Sequence, residues 1–519
     1  MIKNSVNPMS RSRSIFNQVF IAVLLLGSYV YFFPRWADPN QNSRLDMIVA
    51  VVDDGTLMID RYVSNTVDYA KVNGHYYSDK PPGSAFLGIP VYAGIKLVLS
   101  LPVADQWVSR LANNPAFQAT LKADGSGVYA DKVRFALAQV ALTILIPVMA
   151  SVLLGLLLYR CLVNFQVPAG LSTGIVLIYG LLTPAFAYAG AYYSHALSAV
   201  FLFAAFYWVR AERVQSPLRL VGAGLCLGFA VLTEYSVILI AAILFVFAAY
   251  RLFTRGSWAR VGLVAVPAGL MGLVLMVYNQ TVFGGPFNLG YEYSELWAGQ
   301  HQTGFMSLTL PHLDAVWGIT FSPFRGLFFL SPILLLSIPG FWLWWRSPFR
   351  GGRTQRYRAE FWVALLIVAV MFLFNTSSSM WWGGFAIGPR YFLPALPYLA
   401  LALGFAAQQW ARRTWFKITA GILMLWSLIA NVGLSIAGQA FPSDTIVNPL
   451  FDYALPNWAA GNIARNLGTV LGLKGLTSLM PLLIFIGLAL VVWVVFSWQR
   501  ISRTAEPGYP AGDSGVAHG

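Results

Sequence analysis

A lysine between a carboxylate and two prolines is the part of the sequence with the clearest chemistry. Asp79, Lys80, Pro81 and Pro82 stand directly before an apolar stretch at 85–99. The prolines hold the lysine extended, and Pro82 suits the first turn of a helix, where its missing N–H costs nothing. Free amides and the positive end of the helix dipole would add to the lysine charge. The string therefore predicts a phosphate-binding site, with a surface ion pair between Asp79 and Lys80 as the alternative.

Three further basic side chains stand at the start of apolar segments. Arg325, Arg390 and His195 each open such a segment. A guanidinium beside the unpaired amides of a helix start can bind a lipid phosphate at the level of the membrane surface. A single arginine at an interface is more often an anchor. The two arginines therefore become candidate phosphate ligands because they occur together with Lys80.

An acid and a tryptophan complete the set of candidate binding residues. Glu234 stands in a very short turn between two apolar segments, where an ionisable side chain is either functional or a solvated helix cap. Trp382 precedes Gly383 and Gly384, and an aromatic face beside glycine backbone can carry a sugar ring or an isoprenoid. The alternative for Trp382 is a residue of the aromatic belt at the membrane interface.

The composition requires a membrane to position these residues. Of 519 residues, 57% are hydrophobic and 10% are charged, whereas soluble domains carry roughly 25% charged residues. Apolar segments long enough to cross about 30 Å of hydrocarbon recur along the chain, and the first is too long for a signal peptide and lacks a cleavage site. The pattern predicts an all-α polytopic membrane protein with about twelve transmembrane helices, at 15–33, 134–159, 171–191, 195–209, 219–233, 236–252, 261–279, 326–345, 360–376, 391–409, 416–438 and 478–498.

The distribution of basic residues predicts the orientation of these helices. Lysine and arginine concentrate in alternate short loops, which places both termini in the cytoplasm. The long loops 34–133, 280–325 and 439–477 then lie outside, and the first carries interfacial helices. The predicted parts of the chain are a cytosolic N-terminus at 1–14, a membrane core of catalytic type at 15–409, C-terminal membrane helices at 410–498 and a disordered cytosolic tail at 499–519.

Charge and cysteine usage exclude several classes of function. The net charge of +14 reflects topology, and there is no soluble face to bind a nucleic acid. Cys161 and Cys226 lie in or beside apolar segments, so neither a disulfide framework nor a thiolate metal site is supported. Asp53 and Asp54 could bind a divalent cation, but adjacent carboxylates in a loop are more often solvated. We predict no metal and no cofactor.

The layout and several strings resemble the lipid-carrier-dependent glycosyltransferases of the C superfamily, which include aminoarabinose transferases and protein O-mannosyltransferases. The resemblance rests on the large acidic loop ending in Asp79-Lys80-Pro81-Pro82 and on 278–287, 321–326 and 381–394, which look like a bacterial branch. It implies transfer of a sugar from a polyprenyl-phosphate donor to a lipid, glycan or protein acceptor. The reaction would be an inverting displacement at the outer face of the cell inner membrane, with the bilayer as a partner and no nucleotide sugar.

The same resemblance suggests individual roles. Lys80 would hold the carrier phosphate, and Arg44 falls where the family has a second phosphate-binding arginine. The family's Asp-Glu pair, however, falls on Gln41 and Asn42. Because amides cannot take a proton from an acceptor hydroxyl, another carboxylate of the loop must act as the base.

We predict that this base is Asp79, which is covalently adjacent to Lys80. Asp46 is the second choice, and Asp68 is expected to be dispensable. Two other classes of function remain open. A polytopic transporter or lipid flippase would fit twelve spans, although no repeat is visible. A non-catalytic envelope-assembly protein would explain the missing acidic pair but not the basic residues.

Overall fold

The computed structural model describes residues 8–504 except 37, 113–131, 212–215, 297, 302, 305–306 and 347–356. The predicted N-terminal segment 1–14 and tail 499–519 therefore lie partly outside the described residues. Among the described residues the first helix begins at Pro8 and the last helix continues to Thr504, so both helices extend beyond the predicted spans.

The described residues are mostly helical, with one small hairpin. The helices are α1 Pro8–Val30, α2 Pro39–Val49, α3 Gly83–Leu99, α4 Pro102–Ala112, α5 Lys132–Thr143, α6 Met149–Asn164, α7 Ala169–Leu181, α8 Ala185–Ala189, α9 Ser194–Arg210, α10 Pro217–Thr233, α11 Ile238–Phe253, α12 Gly262–Phe283, α13 Ala298–His301, α14 Leu313–Thr320, α15 Leu327–Leu330, α16 Ser337–Arg346, α17 Arg358–Ser377, α18 Leu396–Trp410, α19 Thr414–Ser427, α20 Gly433–Ile436, α21 Leu455–Ala459, α22 Leu467–Val470 and α23 Met480–Thr504; the strands are β1 Ala70–Val72 and β2 His75–Tyr77. Single turns of 3₁₀- or π-helix extend several of them, at Ala50–Asp54, Val63–Asn65, Ile144–Val148, Tyr235–Val237, Trp258–Val261, Gly290–Tyr293, Pro332–Leu336, Arg390–Ala395, Leu428–Val432, Leu450–Ala454 and Gly475–Leu479.

The long helices have the length and composition of membrane spans. Seven continuous helices of the described chain are long and apolar enough to cross a bilayer: Val133–Asn164, Tyr235–Phe253, Trp258–Phe283, Arg358–Ser377, Arg390–Trp410, Thr414–Ile436 and Gly475–Phe496. The prediction of an all-α polytopic membrane protein is thus confirmed. All twelve predicted segments contain helix, but the predicted number of spans is not confirmed, because the others are shorter or broken.

Burial separates the centre of the bundle from its lipid-facing rim. In the most apolar part of the helix Arg390–Trp410, 89% of the residues are buried, whereas in that of Gly475–Phe496 only 6% are buried. Large apolar side chains such as Leu483, Leu488 and Val492 are exposed on this last helix. In a bilayer such a surface is covered by lipid, so α18 forms the core and α23 the periphery.

The predicted interfacial stretch after Lys80 is helix α3. The chain turns by 91° between α3 and α4. Large apolar side chains at this corner are exposed, among them Leu97, Leu101, Val103 and Trp107. An exposed apolar corner of this kind suits the boundary between head groups and acyl chains.

A tight hairpin sets the position of the chain before Lys80. Asn73 and Gly74 both have positive φ, 52° and 85°, as the commonest two-residue turn between antiparallel strands requires. In the resulting register Ala70 pairs with Tyr77. If the same register is continued by two residues away from the turn in each strand, Asp68 lies opposite Asp79.

The three long loops lie at the same end of the bundle. The amide of Phe33 donates to the carbonyl oxygen of Arg465, and Ala70 forms a bridge with Ser294. Arg35 also stacks on Phe441, with its guanidinium carbon 4.2 Å from the ring centroid. These contacts join the first, second and third long loops directly.

This common end is expected to face outwards. His75 and Thr254 are both exposed, one in the first long loop and one in a short basic loop. In a background without Cys161 and Cys226, His75→Cys should react with a membrane-impermeant maleimide in intact cells, whereas Thr254→Cys should react only after lysis. The reverse pattern would overturn the predicted orientation.

Candidate active site

A buried lysine held by two carboxylates is the centre of the site. Lys80 Nζ lies 3.1 Å from an oxygen of Asp68 and 3.1 Å from an oxygen of Asp79. All three side chains are buried, with 5%, 5% and 0% of their surface exposed for Lys80, Asp68 and Asp79. The surface ion pair considered for Lys80 is therefore ruled out. Asp68, which the sequence reasoning treated as dispensable, is a direct partner of Lys80.

Backbone packing holds this lysine cluster in place. A Cβ on Gly290 would come within 2.7 Å of the carbonyl oxygen of Asp79, and one on Gly83 within 2.6 Å of Thr233 Oγ1. Only a glycine allows the turn at 290–293 and the end of α10 to approach the lysine segment this closely. The segment is thus clamped between elements that are distant in sequence.

The two carboxylates are affected differently by their surroundings. Burial raises the pKa of Asp79 above its usual value, although Lys80 acts in the opposite direction. Burial also acts to raise the pKa of Asp68, but the charges of Lys80, Arg390 and Arg44 outweigh it and lower the pKa. Of the two carboxyl groups, Asp68 is therefore the more acidic. The three cations that act on it are three of the predicted phosphate ligands.

Arg44 belongs to a buried chain of polar side chains. Its guanidinium donates to the side-chain oxygen of Asn40 at 2.5 Å and to Ser194 Oγ at 3.1 Å. Ser194 in turn donates to Glu234 at 2.6 Å. Arg44 and Glu234 are thus connected through one hydroxyl, which explains how the helix start at Ser194 and the turn at Glu234 are tied to α2.

His195 lies next to this chain. Its Nδ1 is 3.5 Å from Glu234, and it has no hydrogen-bond partner among the described residues. The ring also borders a separate small cavity between the helices, which Tyr29, Ser151, Tyr179 and Tyr188 line as well. His195 therefore lies behind Glu234, facing the interior of the bundle.

Arg390 borders a cleft next to the lysine cluster. Its guanidinium carbon is 5.8 Å from the ring centroid of Tyr193 and 5.3 Å from that of Tyr391. The cleft is lined by acidic, polar and apolar side chains: Asp38, Pro39, Asn40, Asp68, Tyr193, Met380, Gly384, Phe385 and Arg390.

Several polar atoms around the cleft have no protein partner. Within the described chain, Arg390 Nε, Arg44 Nε and Asp68 Oδ1 are buried without a hydrogen bond. An unpaired buried polar atom costs about 1–3 kcal/mol, so a native protein keeps such atoms where a ligand or water meets them. Arg390 and Asp68 line the cleft, which therefore has a donor and an acceptor available for a polar ligand.

Arg325 occupies a different position from the other cations. It is fully buried and donates to three backbone carbonyl oxygens, those of Trp382 at 3.1 Å, Phe324 at 3.0 Å and Gly384 at 2.9 Å. These bonds use one N–H of each guanidinium nitrogen, so Arg325 holds the glycine loop in position. The loop in turn supports Arg390, since a Cβ on Gly383 would lie 3.0 Å from Arg390 Nε.

Trp382, which is half-buried, and Asp46, which is fully buried, lie near the site but do not line the cleft. Trp382 contributes its carbonyl oxygen to Arg325, while its indole N–H has no partner among the described residues. Asp46 accepts from Asn65 at 3.0 Å, and burial raises its pKa well above the usual value. Asp79 is also absent from the lining and has its oxygens against Lys80. Neither carboxylate predicted as the base reaches the cleft.

Gln41 and Asn42, the amides that fall where the resemblance predicts an acidic pair, have structural partners. Gln41 donates to the carbonyl oxygen of Arg35 and accepts from the amide of Tyr192. Asn42 donates to the carbonyl oxygens of Trp36 and Asn65 at 2.9 and 3.0 Å. These two side chains therefore fix the start of α2.

The carboxylate that sequence reasoning missed is Asp38, three residues before Gln41. It caps α2 by accepting from the Gln41 amide at 3.2 Å, and it lines the cleft. An aspartate followed by a proline is a typical helix start, so the signal for α2 was present in the sequence. The position of Asp38 opposite Arg390 depends on tertiary packing, and the sequence has no local signal for it.

Asp53 and Asp54, which were considered as ligands for a divalent cation, are both paired with basic side chains. Asp53 pairs with Lys96 at 2.7 Å, and Asp54 pairs with Arg61 at 3.0 Å. Across the described residues, no group of three or more histidine, cysteine or acidic side chains is arranged to hold a metal ion.

Comparison with known proteins gives one kind of structural neighbour. No protein-family model matches the chain, and no curated protein matches its sequence. The crystal structure of ArnT from Cupriavidus metallidurans bound to undecaprenyl phosphate is similar, with a TM-score of 0.44 and 16% identity over 79% of this chain and 62% of that one. The apo structure gives 0.44 and 14% over 78% and 62%. The chain thus spans about three fifths of the length of ArnT, an aminoarabinose transferase of the kind that its motifs resemble.

Proposed function

We propose that the chain is a membrane glycosyltransferase that moves a sugar from a polyprenyl-phosphate carrier to a hydroxyl group of an acceptor. The observation that carries the proposal is a cleft lined by Arg390 and Asp68, both with unpaired polar atoms, where Lys80 is paired with Asp68 and Arg44 binds Asn40 of the lining. The reaction takes place at the end of the bundle formed by the long loops, on the outer side of the inner membrane.

A phosphate group fits the charges of this cleft. Buried cations are stable only with an anionic partner, and in the described chain Lys80 has two carboxylates within ion-pair distance, whereas Arg390 and Arg44 have none. A phosphate diester or monoester brings oxygens for the unpaired Nε atom of Arg390, which lines the cleft. Its charge also provides Arg390 with an anionic partner.

A lipid-linked phosphate fits the surroundings better than a soluble one. Met380 and Phe385 form an apolar side of the cleft, and Phe385 is 36% exposed. The site lies at the end of a bundle of apolar helices, so a carrier could keep its chain in the bilayer while its head group enters the cleft. Undecaprenyl phosphate, the ligand in one ArnT crystal structure, is therefore a suitable probe.

The chemistry required is a single displacement. The acceptor oxygen attacks the anomeric carbon, the bond from this carbon to the phosphate oxygen breaks, and the configuration inverts. The leaving phosphate takes the bonding electrons, and the three cations stabilise its charge. Asp79 has a positioning role here, since its oxygens hold Lys80 and it is fully buried.

Carrier binding tests the proposal. Arg390→Gln in lipid nanodiscs should lose at least about tenfold in affinity for undecaprenyl phosphate, because charge-assisted hydrogen bonds contribute roughly 1.5–3 kcal/mol. Arg61→Gln is the matched control: it removes one charge from the first long loop, but its side chain is 64% exposed and pairs with Asp54. Its affinity should be unchanged.

Two other probes identify what is recognised. Undecaprenol, which lacks the phosphate, should not bind, and inorganic phosphate should compete only weakly. If the wild-type protein binds undecaprenol as well as undecaprenyl phosphate, or if both variants bind like the wild type, the phosphate site is refuted.

A further inference from the structure

We infer that Asp38 is the general base that takes the proton from the acceptor hydroxyl, and that Tyr193 positions it. The inference rests on the proposed function and adds the residue that the amides at Gln41 and Asn42 leave missing. It starts from the position of Asp38, which lines the same cleft as Arg390 and Asp68 and is 6% exposed.

Two elements fix the Asp38 carboxylate. The Tyr193 hydroxyl lies 3.0 Å from each of its oxygens, and the amide of Gln41 donates to one of them at 3.2 Å. Tyr193 stands directly before α9, and its ring also borders the cleft and faces Arg390. The carboxylate is therefore held in one orientation at the edge of the space where an acceptor must enter.

The other carboxylates of the described loop are less suitable. Asp68 also borders the cleft, but it is paired with Lys80, and a paired carboxylate of lowered pKa is a weak base. Asp79 and Asp46 do not line the cleft. Among acids that line it, Asp38 alone has no cation within ion-pair distance in the described chain.

The charges that face Asp38 come from four elements. Arg35 follows α1, Asp68 precedes β1, Tyr193 precedes α9, and Arg390 opens the turn before α18. Burial raises the pKa of Asp38 above its ordinary value, and Asp68 acts in the same direction; Gln41, Tyr193 and Arg35 oppose them. A raised pKa makes a carboxylate a better proton acceptor near neutral pH.

The proton balance of the step is complete. As the acceptor oxygen forms its bond to the anomeric carbon, its hydrogen moves to a carboxylate oxygen of Asp38. The carbon–oxygen bond to the carrier breaks, and the leaving phosphate keeps the electron pair. The neutral Asp38 then returns its proton to solvent or to the departing phosphate, and the site is restored.

The competing explanation for Asp38 is that it only caps α2. Asparagine caps helices about as well as aspartate, so Asp38→Asn keeps the cap and removes the base. We expect transfer to fall by about 10²–10⁴-fold, the usual contribution of a positioned base. Binding of undecaprenyl phosphate and the temperature of unfolding should stay at wild-type values. Asp314→Asn, at an exposed carboxylate outside the cleft, is the control and should retain transfer.

Tyr193→Phe separates a positioning role from a structural one. The hydrogen bonds from Tyr193 lower the pKa of Asp38, so their loss raises it further. The base works only when ionised, and the acid limb of the pH–rate profile should therefore move to higher pH. A Tyr193 that only fills space would lower the rate equally at every pH.

Transfer is measured as release of undecaprenyl phosphate from undecaprenyl phosphates carrying glucose, mannose or aminoarabinose, in membranes that contain the native acceptor. Wild-type rates in Asp38→Asn, or an unmoved acid limb in Tyr193→Phe, would refute the inference while leaving the carrier site intact. Failure of the proposed function is distinct, because the wild-type protein would then not bind undecaprenyl phosphate.

Discussion

Lys80→Ala is expected to destabilise the protein by about 3–5 kcal/mol and to abolish binding of undecaprenyl phosphate. The cause of the instability is that Asp68 and Asp79 would remain buried without their common partner, the situation in which breaking an ion pair costs most. Thermal or denaturant unfolding in a fixed detergent measures the first effect, and titration with the carrier in nanodiscs measures the second.

Two further variants separate stability from binding. Lys71→Ala removes an exposed lysine of the same hairpin, which pairs with Glu295 at 3.7 Å, and should change stability by less than about 1 kcal/mol. Combining Lys80→Ala with Asp68→Asn and Asp79→Asn removes the unpaired charges, so stability should partly return while binding does not. Normal carrier affinity in the combined variant would show that Lys80 is structural alone.

Arg325→Met is expected to destabilise the protein by about 3 kcal/mol and to weaken carrier binding indirectly. The methionine keeps the apolar bulk but leaves the carbonyl oxygens of Phe324, Trp382 and Gly384 without donors, and each such loss costs about 1–3 kcal/mol before relaxation. The glycine loop beside Arg390 would then be free to move.

The comparison of Arg325→Met with Arg346→Met isolates the loop. Arg346 is exposed and stacks on Trp342 at 4.3 Å, so its loss removes a charge and a ring contact without touching the cleft. Both unfolding and carrier affinity are measured. If Arg325→Met lost affinity at unchanged stability, Arg325 would be a direct phosphate ligand, as its position before an apolar segment predicts.

The sequence predicts the membrane architecture because hydrocarbon imposes a simple rule on every span. A run of apolar residues must form a helix in a bilayer, and the helices lie where the runs are. The predicted number of spans is not confirmed, since segments such as 326–345 are broken into α15, α16 and a turn. Apolar composition alone does not reveal breaks of this kind.

The residues of the site also differ in how far the sequence predicts them, because some have a local signal and others depend on distant partners. Lys80 was identified because its neighbours Pro81 and Pro82 carry a local signal. Asp68 needed the hairpin, whose turn at Asn73 and Gly74 is visible in the sequence and would have indicated the pairing. Asp38 and Arg325 could not be assigned locally, because their partners Tyr193 and Gly384 lie 155 and 59 positions away.

The hairpin also makes the spacing of the two carboxylates a matter of chain length. Side chains on a strand alternate between faces, so one residue inserted in β1 would turn the carboxylate of Asp68 away from Lys80. One residue added to each strand would displace both carboxylates together and keep them paired across the sheet. The number of residues in the segment from Tyr69 to Ser78, which is ten, therefore sets which side chains of the two strands face each other, and it determines the pairing of Asp68 with Asp79.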